Sequence, residues 1–323
     1  MKVFVAGGTG AIGEQLLPQL VAAGHTVVAT TRSPKGAEEI QGLGAEPAIA
    51  DGLNAHDLTE AVRHAQPEVV IHEMTALSGK VDFRHFDRWF ATTNELRTKG
   101  TDTLVRAAQD VGARRLIVQS YSGWPNIREG GAMKTEEDPL DPHPAKWQRE
   151  SMAAIRHIER TVPAAEGLEG VALRYGGLYG PDTGVTSSQG LDLFRKRQFP
   201  IVGDGAGVWS FIHTADAASA TVAAVENGAP GVYNVVDDDP APASEWIPYL
   251  AEVIGAKPPW RIPVWLGRIV AGEVPVTVMT SIRGSSNAKA KRELGWQPRY
   301  ASWREGFVAE AGARAKVGER VRA

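Results

Sequence analysis

Over the first ~175 residues the chain alternates two hydrophobic patterns. Short unbroken apolar runs are separated by longer stretches with an apolar residue every third or fourth position. The runs predict strands at residues 3–6, Thr26–Thr31, 68–72, 114–119 and 171–175, and 45–50 reads as a weak third strand. The longer stretches predict helices at residues 14–23, Ala55–Ala65, 86–112 and 146–162. Asn54 is placed to cap the second of these, with Asp57 in its first turn. Pro18 falls inside the first helix, which is expected to continue past it if Pro18 faces solvent. The 86–112 stretch is expected to bend near Thr92 and Thr93 and to turn Leu96, Thr103, Leu104 and Ala107 inward. His72, at a strand end, reads as a packed histidine and not as a catalyst. Residues 126–145 read as a loop at the edge of a site.

The rhythm changes after residue 181. A polar loop at 182–190 leads to a short basic helix at 191–197 and an irregular stretch at 199–208. A strand is expected at 208–212, a helix at 214–227 capped by Thr214, and a strand at 231–236. Helical patterns at 244–254, 287–294 and 303–315 alternate with proline-rich links. Alternating strands and helices followed by this remainder predict an α/β fold. It consists of a Rossmann-type doubly wound parallel sheet with a smaller, mostly helical C-terminal lobe that receives a substrate.

The joint between the first strand and first helix carries the strongest chemical signal. It reads Gly7-Gly8-Thr9-Gly10-Ala11-Ile12-Gly13. Gly7 permits a sharp turn, Gly10 lets backbone approach a diphosphate, and Gly13 lets the helix lie close to the sheet. The helix start then offers backbone N–H groups to an anion. At the end of the second strand, a dinucleotide fold that prefers NAD carries an acid for the ribose hydroxyls. No acid occurs between His25 and Ala37; Arg32 and Lys35 stand there instead. A guanidinium can stack on adenine and fork to a 2′-phosphate, so these residues predict NADP(H). Asp51, with Gly52 after the third strand, reads either as an acceptor for the adenine amine or as a turn residue. Met74, Thr75 and Ala76 follow the fourth strand at the sheet's carboxyl edge, where ligands sit.

Composition narrows the class. Net charge is −3 and the pI about 6.3, with no basic run suited to nucleic acid or an anionic membrane. The absence of cysteine excludes disulfides, cysteine nucleophiles and cysteine–zinc sites, and fits a reducing, cytoplasmic setting. With a strand expected from residue 2, no signal peptide is expected, and no apolar run reaches the ~18 residues of a membrane span.

Five stretches in order resemble the extended short-chain dehydrogenase/reductases, the nucleotide-sugar epimerase/dehydratase-like superfamily. They are the glycine turn, Asp51, the L-R-Y-G-G-L-Y-G-P run of residues 173–181, the V-G-D-G-A-G-V-W-S-F-I-H-T-A-D run from Val202, and E-L-G-W-Q-P from Glu293. The resemblance implies about seven parallel strands in a dinucleotide-binding domain of residues 1–181 plus 208–236. It implies a substrate lobe of 182–207 plus 237–323, and it adds Tyr175 and Leu178 to the expected cofactor contacts Gly7, Thr9, Gly10, Ala11, Ile12, Gly13, Arg32, Lys35, Asp51, Gly52, Met74, Thr75 and Ala76.

The chain departs from that family where the chemistry should be. The family's acid/base pair is a Tyr with a Lys four residues later, and no Tyr of this chain has one. Alignment on Glu159 puts Ser151 and Ile155 in those slots. The family's small hydroxyl after the fifth strand falls on Tyr121, beside Ser122. Three functions are consistent with these residues. The first is an NADPH-dependent reductase of a ketone or conjugated enone, with Tyr121 as proton donor and Ser122 as helper. The second is an epimerase or dehydratase that retains its cofactor. The third is a non-catalytic protein that senses NADP(H). The expected partner is a small molecule, with no nucleic acid and no membrane, acting on a monomer or homodimer. Arg195, Lys196 and Arg197 read as a solvated helix face, not as a sugar-diphosphate site.

Overall fold

The computed structural model describes residues 1–77, 82 and 85–322, with the last helix beyond residue 313 described by backbone only. Seven parallel strands form the central sheet: β1 (Lys2–Ala6), β2 (Thr26–Thr31), β3 (Glu46–Ile49), β4 (Val69–His72), β5 (Arg115–Tyr121), β6 (Glu169–Tyr175) and β7 (Gly231–Val235). Their spatial order is β7-β6-β5-β4-β1-β2-β3. The order reverses between β1 and β4, which is where open α/β sheets bind ligands. Val3 pairs with Val27 on one side and Val69 on the other, and Tyr121 pairs with Tyr175 at the far end of the β5–β6 ladder.

Helices cover both faces, which is why the strands read as continuous apolar runs. On one face lie α1 (Gly13–Ala22), α2 (Pro34–Gly42) and α8 (Thr214–Glu226), burying Leu16, Leu17, Leu20, Ile40 and Ala217. On the other lie α3 (Ala55–Ala65), α6 (Thr101–Asp110) and α7 (Arg149–Thr161), burying Leu58, Val62, Leu104 and Ile158. Each fully buried leucine contributes about 2 kcal/mol. Asn54 caps α3 by accepting from the N–H groups of His56 and Asp57. Pro18 is exposed, and α1 runs through it.

A third core lies beside the sheet. Leu191 and Phe194 of the helix Ser188–Arg195, Trp246 and Leu250 of Ala243–Val253, and Trp303 and Phe307 of Trp303–Arg322 pack around Tyr179 and Phe211. Two of the family-like stretches meet at this boundary. The carboxylate of Asp216 accepts from the backbone of Arg299 and Tyr300, and Trp296 donates to Ser219. His72 is packed, as expected: Nδ1 accepts from Met74 N, and Nε2 lies 3.1 Å from Leu96 O.

Several local expectations are corrected. The 86–112 stretch breaks at Phe90, between α4 (Phe86–Trp89) and α5 (Ala91–Glu95), and then passes through a π-helical turn, Leu96–Gly100. Cap α8 is His213, whose Nδ1 accepts from Ala215 N, and not Thr214. The expected 208–212 strand is two short ones, Val208–Trp209 and Phe211–His213. Helices Val264–Val270 and Glu273–Thr280 had no clear periodic signal. Strand β5 runs two residues further than its apolar run because Ser120 and Tyr121 remain on the β6 ladder.

Candidate active site

Because all seven strands are parallel, their carboxyl ends lie on one edge, and the glycine turn lies at its centre. Gly7 has φ +102°. A Cβ there would lie 2.9 Å from the backbone of Glu73 and Met74, so the turn touches the end of β4 directly. A Cβ on Gly13 would lie 2.5 Å from the carbonyls of Gly7 and Gly8, so α1 packs tightly on the turn. Gly10 differs: its Cβ would meet only Gly7 O, at 3.5 Å. Packing within the protein explains Gly7 and Gly13 but leaves open space above Gly10. Helix α1 opens without a side-chain cap. Thr9 is half-buried, Ala11 is exposed and Ile12 is buried.

Around the turn, Thr30 ties β2 to the glycines: its Oγ1 accepts from Gly7 N and its carbonyl from Gly8 N. Arg32 and Lys35 are exposed just beyond β2, and Lys35 makes a 3.6 Å ion pair with Glu39 one helical turn on. Ser33 between them caps α2. Asp51 does act as a turn residue, with Oδ1 accepting from Leu53 N, and its side chain is exposed. Gly52 is buried against Met74, where a Cβ would lie 2.3 Å from its sulfur. Met74 O accepts from Gln119, Ala76 N donates to Thr93, and Thr75 is exposed. Leu178 is half-buried, on the short strand Gly177–Tyr179. The side chain of Tyr175 is buried in the core, so it offers only backbone to the cleft.

Beneath the turn, the Tyr175 hydroxyl lies 2.8 Å from Glu73 Oε1 and 2.6 Å from Thr221 Oγ1. Thr221 commits its own proton to Ala217 O. Burial pushes the Glu73 carboxyl up to about 8, and its Oε2 has no partner among the described residues. The Tyr175 hydroxyl donates to Glu73 Oε1, so one hydroxyl is the polar contact that holds this buried carboxyl.

Tyr121 ends β5 and is half-buried, its ring stacked on Trp124 with centroids 6.1 Å apart. Burial pushes its phenol up to about 12, and the Arg97 charge pulls it down. Beside it lies an apolar cluster of Phe86, Phe90, Ala145 and Val274, with Trp124 packed on it. Ser122 is buried, and its hydroxyl faces Ser285, which also accepts from Asn126. Ser122 therefore turns away from Tyr121's neighbours and toward the C-terminal part of the chain. Ser151 is fully buried: its Oγ donates to Asp87 at 2.7 Å and accepts from Asn94 at 3.1 Å. Ile155 is in the core. Glu159 is consumed by Arg174, through two bonds of 2.7 and 2.6 Å, and by Ser120. Arg195 and Lys196 pair with Asp192 at the surface, and Arg197 stacks on Trp260.

The sequence reading missed Glu73, Asp87, Asn94 and Arg97. Glu73 could have been found as a charge interrupting the apolar end of β4. Asp87, Asn94 and Arg97 sit in the 86–112 stretch, where helical spacing marks Leu96, Thr103, Leu104 and Ala107 as inward and gives these three no signal. Among the described residues, no cluster of His, Asp or Glu could hold a metal, and no helix is long and apolar enough to cross a membrane.

The sheet order and the glycine turn after β1 define a dinucleotide-fold protein of the doubly wound α/β class. Residues 3–235 match the NAD dependent epimerase/dehydratase family, and the chain belongs to it. A Streptomyces 3-diazoavenalumate denitrifying reductase is 41% identical over 96% of this chain and all of that protein. A Stigmatella aurantiaca ketoreductase acting on a 4-hydroxy-2-methyl-3-oxo-4-farnesyl-3,4-dihydroquinoline-1-oxide is 27% identical over 93% of this chain and 92% of that one. The crystal structure of a Thermotoga maritima UDP-glucose 4-epimerase superposes with TM-score 0.74 at 22% identity, over 98% of this chain and 99% of that one. The chain is thus an NAD(P)-dependent oxidoreductase of the short-chain dehydrogenase/reductase type.

Proposed function

We propose that the protein is an NADPH-dependent reductase of a small organic acceptor. The observation that carries this reading is the loop after β2, where exposed Arg32 and Lys35 stand in place of an acid. Bound NADPH would supply a hydride. The glycine turn would hold the diphosphate, Arg32 the 2′-phosphate, and Thr75, Ala76 and Leu178 would face the nicotinamide half. Residues 182–207 and 237–323 would form the lobe that admits the acceptor.

For a ketone or enone acceptor, Tyr121 would donate the proton to the oxygen as the carbon gains hydride, and would regain a proton from solvent. The aromatic cluster of Phe86, Phe90 and Trp124 beside it suits a flat, apolar acceptor. The ketoreductase relative supports this reading.

A second reading is favoured by two observations: the name of the 41% identical relative, and Ser151 and Ile155 in the slots of the family's acid/base pair. A diazonium group is already cationic. Hydride replaces its dinitrogen to give a C–H bond and N2, with charge conserved and no proton donor required. A site lacking the Tyr/Lys couple can carry out that reaction.

The test is NADPH oxidation by purified protein with ketones, enones and an aryl diazonium salt, in wild type and Tyr121→Phe. The carbonyl reading expects carbonyl turnover that falls about 10²–10³-fold in Tyr121→Phe. The diazonium reading expects N2 release unaffected by that change. NADPH bound without turnover of any acceptor would contradict both and favour the sensing protein.

A further inference from the structure

We propose that Arg97 is the cation of this active site, a positioning residue that acts through Tyr121 and supplies the charge that Ile155 cannot. This rests on the carbonyl reading above, in which Tyr121 donates the proton.

Arg97 is only 3% exposed. A buried guanidinium is normally paired, because an uncompensated one costs several kcal/mol. Its Nε and Nη1 have no hydrogen-bond partner among the described residues. Its guanidinium lies 5.5 Å from the Phe90 ring, and that ring belongs to the aromatic cluster in which Phe86 meets Trp124 and Trp124 meets Tyr121. The backbone that presents it is the π-helical turn Leu96–Gly100, a local break that in helices frequently marks a functional site.

The neighbouring charges are already committed. On α7, Glu159 is saturated by Arg174 from β6 and by Ser120. On α4, Asp87 holds the N-terminus of α7 and the Ser151 hydroxyl. On β4, His72 is pushed down to about 4 by burial and is neutral. Burial pushes Arg97 down to about 10, which leaves it positive at neutral pH. The titratable group left facing this charge is the Tyr121 phenol, and the attraction between Arg97 and a Tyr121 phenolate is felt from both sides. A nearby cation stabilises the phenolate that remains once the proton has left. The family's lysine would act from α7; here the charge arrives from the opposite helix.

The experiment uses the full chain labelled with fluorotyrosine, whose ring fluorine brings phenol titration into an accessible pH range. The Tyr121 resonance is assigned by its absence in Tyr121→Phe. Its titration is compared in wild type, Arg97→Met, Arg97→Gln and Arg97→Lys. Removing an unpaired buried charge is not expected to unfold the protein, and glutamine gives a second neutral variant. The expected result is an upward shift of about one unit or more in both neutral variants. The alkaline limb of the kcat profile should move with it, and lysine should return both toward wild type. An unmoved Tyr121 titration in a folded Arg97→Met or Arg97→Gln would overturn the proposal. A shifted titration with turnover indifferent to Tyr121→Phe would support the charge coupling and overturn only the reading of Tyr121 as donor.

Discussion

Replacing Glu73 by glutamine should make the protein more stable at neutral pH. Glu73 is buried beneath the glycine turn, and burial pushes its carboxyl from 4.5 up to about 8. The sign follows from proton binding. Below pH 4.5 the carboxyl is protonated in both folded and unfolded chains, and the folded state carries no penalty. Between 4.5 and 8 the unfolded chain releases the proton while the folded chain keeps it, so stability falls as pH rises. Each pH unit in this window costs about 1.4 kcal/mol, which accumulates to about 3 kcal/mol by pH 7. Above 8 both states are ionised and this contribution levels off. Glutamine keeps the shape and the oxygen that faces Tyr175 but cannot ionise. Urea unfolding at pH 5, 6, 7 and 8 should therefore give nearly equal stabilities for the two proteins at pH 5. At pH 7 to 8 the variant should be ahead by about 3 kcal/mol or more. Parallel stability curves across the range would refute the reasoning, because they would mean that Glu73 is not held protonated by the fold.

Two further changes separate binding from folding. Gly10→Val fills space that the protein itself leaves open, so the melting temperature should hold. NADPH affinity should fall by about ten- to a hundredfold, the scale of overpacking, read by isothermal titration. Ser151→Ala removes a hydroxyl that donates to Asp87 and accepts from Asn94, so it should cost about 1–3 kcal/mol in denaturant unfolding. It should leave kcat within about twofold under the account that gives Ser151 no proton to transfer.

Much of the fold was legible because the inner strands β1, β4, β5 and β6 are buried and read as largely apolar runs, whereas the edge strand β3 is mostly exposed and gives a weaker pattern. Thr26–Thr31 and Ala55–Ala65 came out with the observed bounds, since a glycine or a capping Asn54 punctuates them. The π turn at Leu96–Gly100 was not legible. Its residues keep helical spacing, while in the fold Gly100 packs near Gly52 and Leu96 near Met74. Glycine roles at positions 7 and 13 follow from local pattern. The commitments of Ser122 to Ser285 and Tyr175 to Glu73 do not, because they join residues 163 and 102 positions apart. The shortfall at the site has the same origin. Arg97 carries no periodic signal, and its lack of a partner is a property of three-dimensional surroundings.

The central claim is that this chain draws on NADPH, and the loop after β2 is where that claim is exposed. The most direct measurement is paired fluorescence titration of wild type and Arg32→Asp with NADPH and NADH at one fixed ionic strength. Arg32 is exposed, so a contact with a 2′-phosphate would be partly screened. We expect wild type to favour NADPH by about tenfold or more, and Arg32→Asp to erase that preference by weakening NADPH while leaving NADH within about twofold. Equal affinities of the wild type for the two cofactors, or a preference that survives Arg32→Asp, would contradict the account.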